Sequence, residues 1–283
     1  MKLKALLAEF ESSLNAAGFE SPASDAAVLF ADFLGLGLGE LPLKGALSLP
    51  DSQVAGLRAA LARRLANEPL QYISGTAYFR FLKLKVGLGC LIPRPETELL
   101  AEMAMEAAPE GGLVCEIGAG SGALGLSIAY ERTDLKVFAS ELSPEAFAWA
   151  SRNAAALALP NYSLRAGDML SPFENDRFRF DAIVANLPYI PSAIMHSLPK
   201  DVGGHEPSFA LDGGPDGLDP VRRAIVDAPR FLKPGGLLAL EIGEEQGEAT
   251  ARLFASSAFY MDICVRRDLC GKDRFVTARF ASC

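Results

Sequence analysis

The run Leu113-Val114-Cys115-Glu116-Ile117-Gly118-Ala119-Gly120-Ser121-Gly122 decides the fold class. Residues 113–117 read as a buried strand, and the three glycines after it let the chain turn sharply with no Cβ in the way. Leu124, Leu126, Ile128 and Ala129 follow and read as a helix. A strand, a glycine turn and a helix in that order aim the unpaired N–H groups of the helix start at the carboxyl ends of a parallel sheet, where ligands bind.

The alternation continues outward. Downstream, strands are expected over residues 136–141, 163–166, 181–185 and 236–242. Helices are expected over 145–157 after Ser143-Pro144 and over 221–232 after Asp219-Pro220, both with a proline suited to the first helical turn. Residues 260–265 and 274–280, around Gly271, should pair as an antiparallel hairpin. A helix over 96–108 precedes the first strand, so residues 93–283 form an open α/β domain whose parallel sheet ends in an antiparallel edge.

Upstream the texture changes. Residues 72–79 and 81–86 carry aromatic, β-branched and alternating apolar and basic residues, so 69–92 reads as a β-hairpin linker. Before it, Leu3, Leu6, Leu7, Phe10 and Leu14 make one helical stripe that Gly18 can end. Ser21-Pro22 introduces a second helix over 26–34, stopped by Gly35 and Gly37. Val54, Leu57, Leu61 and Leu65 mark a third over 51–66, and residues 1–68 form a small all-helical domain. There is no internal repeat or low-complexity segment.

The chain has 283 residues, 50% of them hydrophobic, enough for one large core and a small one. A net charge of −8 gives no basic field for phosphate, so direct nucleic-acid binding is not expected, although a local basic patch is compatible with it. Cys90, Cys115, Cys264, Cys270 and Cys283 are odd in number and lack Cys-x-x-Cys spacing, which argues against disulfides and zinc and for a reducing compartment. His196 and His205 have no ligand spacing, and no metal is expected. Glu9 and Glu11 interrupt any signal-peptide core, and no apolar stretch approaches a membrane span. A cytoplasmic protein without a membrane partner is expected.

Gly118, Gly120 and Ala123 satisfy the pattern G-x-G-x-x-G/A, with Glu141 ending the next strand, so the loop alone does not choose between NAD and S-adenosylmethionine. The loop residues Gly118, Ala119, Gly120, Ser121 and Gly122 are candidates for the cofactor in either case. Glu116, at a strand end beside the loop, is suited to the cationic amino group of S-adenosylmethionine, although a solvated strand end has the same look. Glu141 is placed to accept from both ribose hydroxyls. Asp168 suits the adenine amino group and Met169 the ring face; taken singly they read as a helix cap and ordinary core.

The strand over 181–185 delivers Asn186-Leu187-Pro188-Tyr189 at the same sheet edge. The nitrogen of an amide or exocyclic amine is planar, with its lone pair tied up in conjugation. The Asn186 side-chain oxygen and the Leu187 carbonyl can hold the two N–H protons and turn the lone pair toward a sulfonium methyl, with Asn186 thus touching both cofactor and substrate. Pro188 fixes the backbone and Tyr189 can stack on the planar group. No strong base is required, since the nitrogen becomes acidic only as the methyl arrives. A proline turn after a strand is the plain alternative. Arg94 pairs with Glu96 or Glu98, and residues 212–219 form a solvent-facing loop that can close over a substrate.

The glycine loop and the Asn-Leu-Pro-Tyr segment together resemble the amino-methyltransferases, which are S-adenosylmethionine-dependent and have a Rossmann-like sheet. Glu68-Pro69-Leu70-Gln71-Tyr72-Ile73-Ser74-Gly75, Leu91-Ile92-Pro93-Arg94-Pro95-Glu96-Thr97-Glu98 and Glu206-Pro207-Ser208-Phe209-Ala210-Leu211-Asp212-Gly213-Gly214-Pro215-Asp216-Gly217-Leu218 are similar to segments of the HemK/PrmC family of release factor glutamine methyltransferases. The resemblance covers nearly the whole chain. It implies N5-methylation of the glutamine in the Gly-Gly-Gln motif of peptide chain release factors, with the N-terminal domain gripping the factor. Carried onto this sequence, Gly118 to Gly122, Glu141 and Met169 line the cofactor and Asn186 to Tyr189 the glutamine. Two positions depart from the family pattern. Leu187 stands where the family has its first proline, a form also found in ribosomal RNA adenine dimethyltransferases, and Glu141 replaces the usual aspartate. An N6-adenine methyltransferase acting on RNA or DNA is therefore the alternative, and it requires a basic groove.

Overall fold

A computed structural model describes residues 1–281; Cys283 lies outside the described residues. The chain divides into two compact units, residues 1–76 with 199–205, and residues 77–198 with 206–283.

The first unit is helical. Helices α1 (Leu3–Ala16), α2 (Pro22–Leu34) and α3 (Asp51–Leu65) bury Leu3, Leu6, Phe10, Leu14, Phe30 and Leu57 completely. Phe10 meets Phe30 edge to face at 4.9 Å. Helix α2 begins four residues before the expected Ala26, because Pro22 is already suited to the first helical turn. Gly35 closes it in the left-handed region at φ 64°. Tyr72, Ile73 and Ser74, expected as strand, lie in a fourth short helix, α4 (Leu70–Ser74), between Pro69 and the left-handed Gly75. Ile73 packs on Leu29 and Ala60, so tertiary burial overrides the strand propensity of this stretch.

In the second unit the hairpin β1 (Thr76–Phe79) and β2 (Leu82–Lys85) precedes the large sheet, with a 3-10 turn over Pro95–Thr97 and helix α5 (Glu98–Ala107) between them. Its chain order is β3 (Leu113–Ile117), α6 (Ala123–Glu131), β4 (Lys136–Glu141), α7 (Pro144–Leu157), β5 (Tyr162–Ala166) and β6 (Phe180–Ala185). Helix α8 (Lys200–Gly203) belongs to the first unit; α9 (Asp219–Asp227), β7 (Leu232–Glu241), α10 (Gly247–Ala255), β8 (Tyr260–Arg267) and β9 (Asp273–Phe280) complete the second. The seven strands are ordered β5-β4-β3-β6-β7-β9-β8. The first five are parallel, and β9 runs antiparallel to both β7 and β8.

Both faces of the sheet are apolar, as a parallel sheet covered by helices requires. Alternate residues Val114, Val137, Val184 and Ala239 pack under α5 and α6, while Cys115, Ile183, Leu238 and Val276 pack under α9 and α10. The helix expected to run to Leu232 stops at Asp227, since Pro229 ends it, and a 3-10 turn leads into a strand that starts at Leu232 rather than Gly236. Arg80, at the tip of the first hairpin, is largely buried and binds Glu131 at 2.5 Å, Glu102 at 2.9 Å and the Glu98 carbonyl at 3.2 Å. That network fixes the start of α5 against α6. Among the described residues no disulfide forms and no helix is long and apolar enough to cross a membrane.

Phe173 closes an aromatic group with Phe138 and Phe180, at centroid distances of 6.1 and 5.5 Å, beneath the Arg165 guanidinium. Phe173→Ala is expected to lower unfolding stability by about 3–5 kcal/mol, measured by chemical denaturation. An unchanged midpoint contradicts the packing role.

Candidate active site

Strands β3 and β6 are neighbours, but the chain leaves β3 toward one sheet edge and β6 toward the other. Such a reversal opens a crevice at the carboxyl ends of the two strands. Ile117 and Ala185 are register partners, so Gly118 and Asn186 begin their loops side by side. A cavity of about 470 Å³ lies there, lined by Gly118, Gly120, Glu141, Asp168, Met169, Asn186, Leu187 and Pro188 among others. That size suits a nucleoside-sized ligand.

The glycine loop is fixed by its neighbours. The amides of Gly118 and Ala119 both donate to the Ser140 carbonyl at 2.9 Å, and Ser140 Oγ donates to the Met169 carbonyl at 2.6 Å. Ser140, fully buried, thereby joins the ends of three strands. Gly122 caps α6 at φ 82°, a backbone open to glycine at little cost. Ala119 and Ser121 are buried away from the cavity, Ala119 against Ala139 and Ala150. The Ser121 carbonyl accepts from Asn153 Nδ2 at 2.9 Å, and Asn153 also bonds both backbone groups of Lys85.

Glu141 takes the Gly120 amide on Oε2 and the Ser143 amide on Oε1, each at 2.8 Å. Both oxygens of its carboxylate are thus anchored to protein amides, and Glu141 lines the cavity. Met169 sits at φ 51°, uncommon for a residue with a side chain, and contributes to the cavity wall. Asp168 lines the cavity too, but its oxygens lie 2.7 and 3.4 Å from the Arg223 guanidinium, a partner that sequence reading did not supply.

Glu116 departs from expectation. Strand alternation puts it on the same face as Val114, beneath α6, where it accepts from the Gly125 amide at 3.0 Å and does not line the cavity. Burial pushes its carboxyl well above the usual range, against the pull of the Gly125 bond.

Asn186 donates from Nδ2 to Thr97 Oγ1 at 3.0 Å, and Thr97 Oγ1 donates to Glu241 Oε2 at 2.6 Å. A hydroxyl has one proton, so with Glu241 accepting it, Thr97 must accept from Asn186. The amide is thereby oriented with Oδ1 as its remaining polar atom. Among the described residues, neither Asn186 Oδ1 nor the Leu187 carbonyl accepts a hydrogen bond. Leu187 is buried, its side chain in the core under α9. The tyrosine ring expected to stack on a substrate does not line the cavity; burial pushes the Tyr189 phenol up to about 12.

Residues 208–217 belong to this site. The Gly213 amide donates to the Ile190 carbonyl at 2.8 Å, the Ile190 amide donates to the Leu211 carbonyl at 2.9 Å, and Gln246 Nε2 donates to the Tyr189 carbonyl at 2.9 Å. A Cβ at Gly217 would collide with that same carbonyl, so glycine is required by close approach. Phe209, Ala210 and Asp212 line the cavity, and Asp212 accepts from Ser192 Oγ at 2.6 Å. The loop is hydrogen-bonded to Ile190 and Ser192, which follow the Asn186 to Tyr189 segment, and is not freely solvated. Arg94 pairs with the buried Glu206 at 2.7 Å, not with Glu96 or Glu98.

Thr97, Glu241 and Ser140 are site residues that sequence reading passed over. Glu241 carried the signal that marked Glu116 and Glu141, a carboxylate ending an apolar strand. Thr97 lay in a segment noticed only as a family resemblance.

Two family descriptions match the chain: "PrmC N-terminal domain" over residues 5–75 and "Methyltransferase small domain" over residues 95–196. Proteins named release factor glutamine methyltransferase are similar over nearly the full length. That of Moorella thermoacetica is 39% identical over 277 residues, 97% of both chains. That of Streptomyces coelicolor is 37% identical, covering 99% of this chain and 98% of its own. A solved methyltransferase from Pyrococcus furiosus shares the fold, with a TM-score of 0.53 and 18% identity over 83% of this chain and all of its own. With that identity over almost its entire length, the chain belongs to the release factor glutamine methyltransferase family.

Proposed function

We propose that this protein transfers a methyl group from S-adenosylmethionine to the side-chain amide nitrogen of the glutamine in the Gly-Gly-Gln motif of peptide chain release factors. The observation that carries the reading is that Asn186 and Leu187 line the cavity beside the glycine loop, with Asn186 Oδ1 and the Leu187 carbonyl accepting no hydrogen bond among the described residues. Family membership supports the choice of glutamine.

The residues present suit the cofactor. Gly118 and Gly120 would let the backbone approach it, Glu141 would accept from its ribose hydroxyls, and Met169 and Asp168, the latter held by Arg223, would hold the adenine. Ala119, Ser121, Gly122 and Glu116 act from behind the loop, keeping it and the first turn of α6 in place. S-adenosylmethionine supplies an electrophilic methyl on a sulfonium.

Asn186 and Leu187 hold the two amide protons of the glutamine, which twists lone-pair density out of conjugation and aims it. Pro188 fixes the Leu187 carbonyl, and Tyr189 supports the segment through its backbone. As the methyl arrives, one proton becomes acidic and leaves to water, so no base is needed. Residues 1–68, within the helical unit, grip the release factor. A substrate of the translation machinery assigns the enzyme to the cytoplasm.

Incubation of the full chain with methyl-labelled S-adenosylmethionine and a purified release factor should label the Gly-Gly-Gln glutamine; label on ribosomal RNA adenine and none on protein overturns the assignment in favour of the base. Asn186→Ala should lower kcat by about 10²- to 10³-fold with cofactor affinity retained, as loss of one preorganised contact does. Unchanged turnover removes Asn186 from the chemistry. Glu141→Ala should weaken cofactor binding by about 1.5–3 kcal/mol in calorimetry, since a charged acceptor is lost. Undiminished affinity counts against its ribose role.

A further inference from the structure

We propose that Glu241 is a positioning residue for this reaction: acting through Thr97, its ionisation state decides which end of the Asn186 amide faces the substrate nitrogen. This rests on the reading of Asn186 given above.

The chain of contacts is short and buried. Glu241 is fully buried at the end of β7, Thr97 is 6% exposed, and the distances are 2.6 Å from Thr97 Oγ1 to Glu241 Oε2 and 3.0 Å from Asn186 Nδ2 to Thr97 Oγ1. With Glu241 ionised, the Thr97 proton goes to the carboxylate and the hydroxyl accepts from Asn186 Nδ2. Oδ1 then remains to accept a substrate N–H.

Protonation reverses the order. Among the described residues Glu241 Oε1 is buried with no hydrogen-bond partner, so a proton there would be an unmade bond, whereas a proton on Oε2 has the Thr97 oxygen as acceptor. The Thr97 proton then turns to Asn186, whose amide presents Oδ1 to Thr97 and its NH₂ to the cavity. Two donors face each other, and the glutamine amide loses an acceptor.

The surroundings set where this happens. Burial raises the Glu241 carboxyl to about 7; the Thr97 bond and the cations Arg274 and Arg94 lower it, while Glu96 raises it. The Tyr189 phenol and Arg274 share this environment, and each cation has a carboxylate partner of its own, Asp268 for Arg274 and Glu206 for Arg94. The competent, ionised form is populated as pH rises through that value and lost as it falls.

Two measurements on the full chain test the relay. For the wild type, kcat on a purified release factor should fall on the acid side of about pH 7. Glu241→Gln, which keeps a carbonyl for Thr97 but does not titrate, should flatten that limb. Thr97→Val should lower kcat roughly 10- to 100-fold at every pH with cofactor affinity retained, and Thr97→Ser should restore it. An acid limb that survives in Glu241→Gln, or full turnover in Thr97→Val, overturns the proposal. Independently of activity, the Asn186 side-chain amide resonances, identified by their loss in Asn186→Ala, should titrate in the wild type and not in Glu241→Gln; resonances that do not titrate also overturn it. A wild-type enzyme that leaves the release factor unlabelled at every pH refutes the glutamine reading instead, while the resonance titration still decides the relay.

Discussion

The reversal of chain direction between β3 and β6 is the constraint on which the site depends. Parallel strands linked by helices must be crossed over, and each crossover moves the chain along the sheet. Where two crossovers depart in opposite directions from neighbouring strands, no helix covers the strand ends. The register of Ile117 with Ala185 then sets the glycine loop and Asn186 side by side. The glycine loop and the Asn186 segment meet because the topology leaves one place open, and each loop needs only a few residues to complete it.

Preorganisation here is carried by hydrogen bonds among the protein's own groups. Ser140 holds the glycine loop and the Met169 backbone; Thr97 holds Asn186; Gln246 and residues 211–213 hold the segment after Pro188. Several of these bonds are buried, where an unpaired polar group costs about 1–3 kcal/mol, so alternative loop arrangements are disfavoured. Two positively charged side chains near the site, Arg94 and Arg223, are each paired with a carboxylate.

Much of this was legible in the sequence because period and punctuation are local. The strand, glycine turn and helix at residues 113–129, the Ser143-Pro144 helix start and the antiparallel pair around Gly271 all follow from nearest-neighbour chemistry. What was not legible depends on partners far along the chain. Tyr72 to Ser74 carry strand-forming residues, yet Ile73 finds a pocket made by Leu29 and Ala60. The role of Glu116 turned on strand parity, with one face toward α6 and the other toward α9. Asp168 and Arg94 took partners 55 and 112 residues away, and the Thr97–Glu241 bond spans 144. No window of sequence contains both ends of such a contact.

The central claim concerns two acceptors aimed at one amide nitrogen. A crystal structure of the chain with S-adenosylhomocysteine and a Gly-Gly-Gln peptide tests it most directly. The account predicts the glutamine Nε2 at about 2.7–3.2 Å from both Asn186 Oδ1 and the Leu187 carbonyl, with the cofactor sulfur beyond it on the side of the glycine loop. A glutamine amide bound elsewhere in the cavity, or held by the NH₂ of Asn186 through its own oxygen, would contradict it.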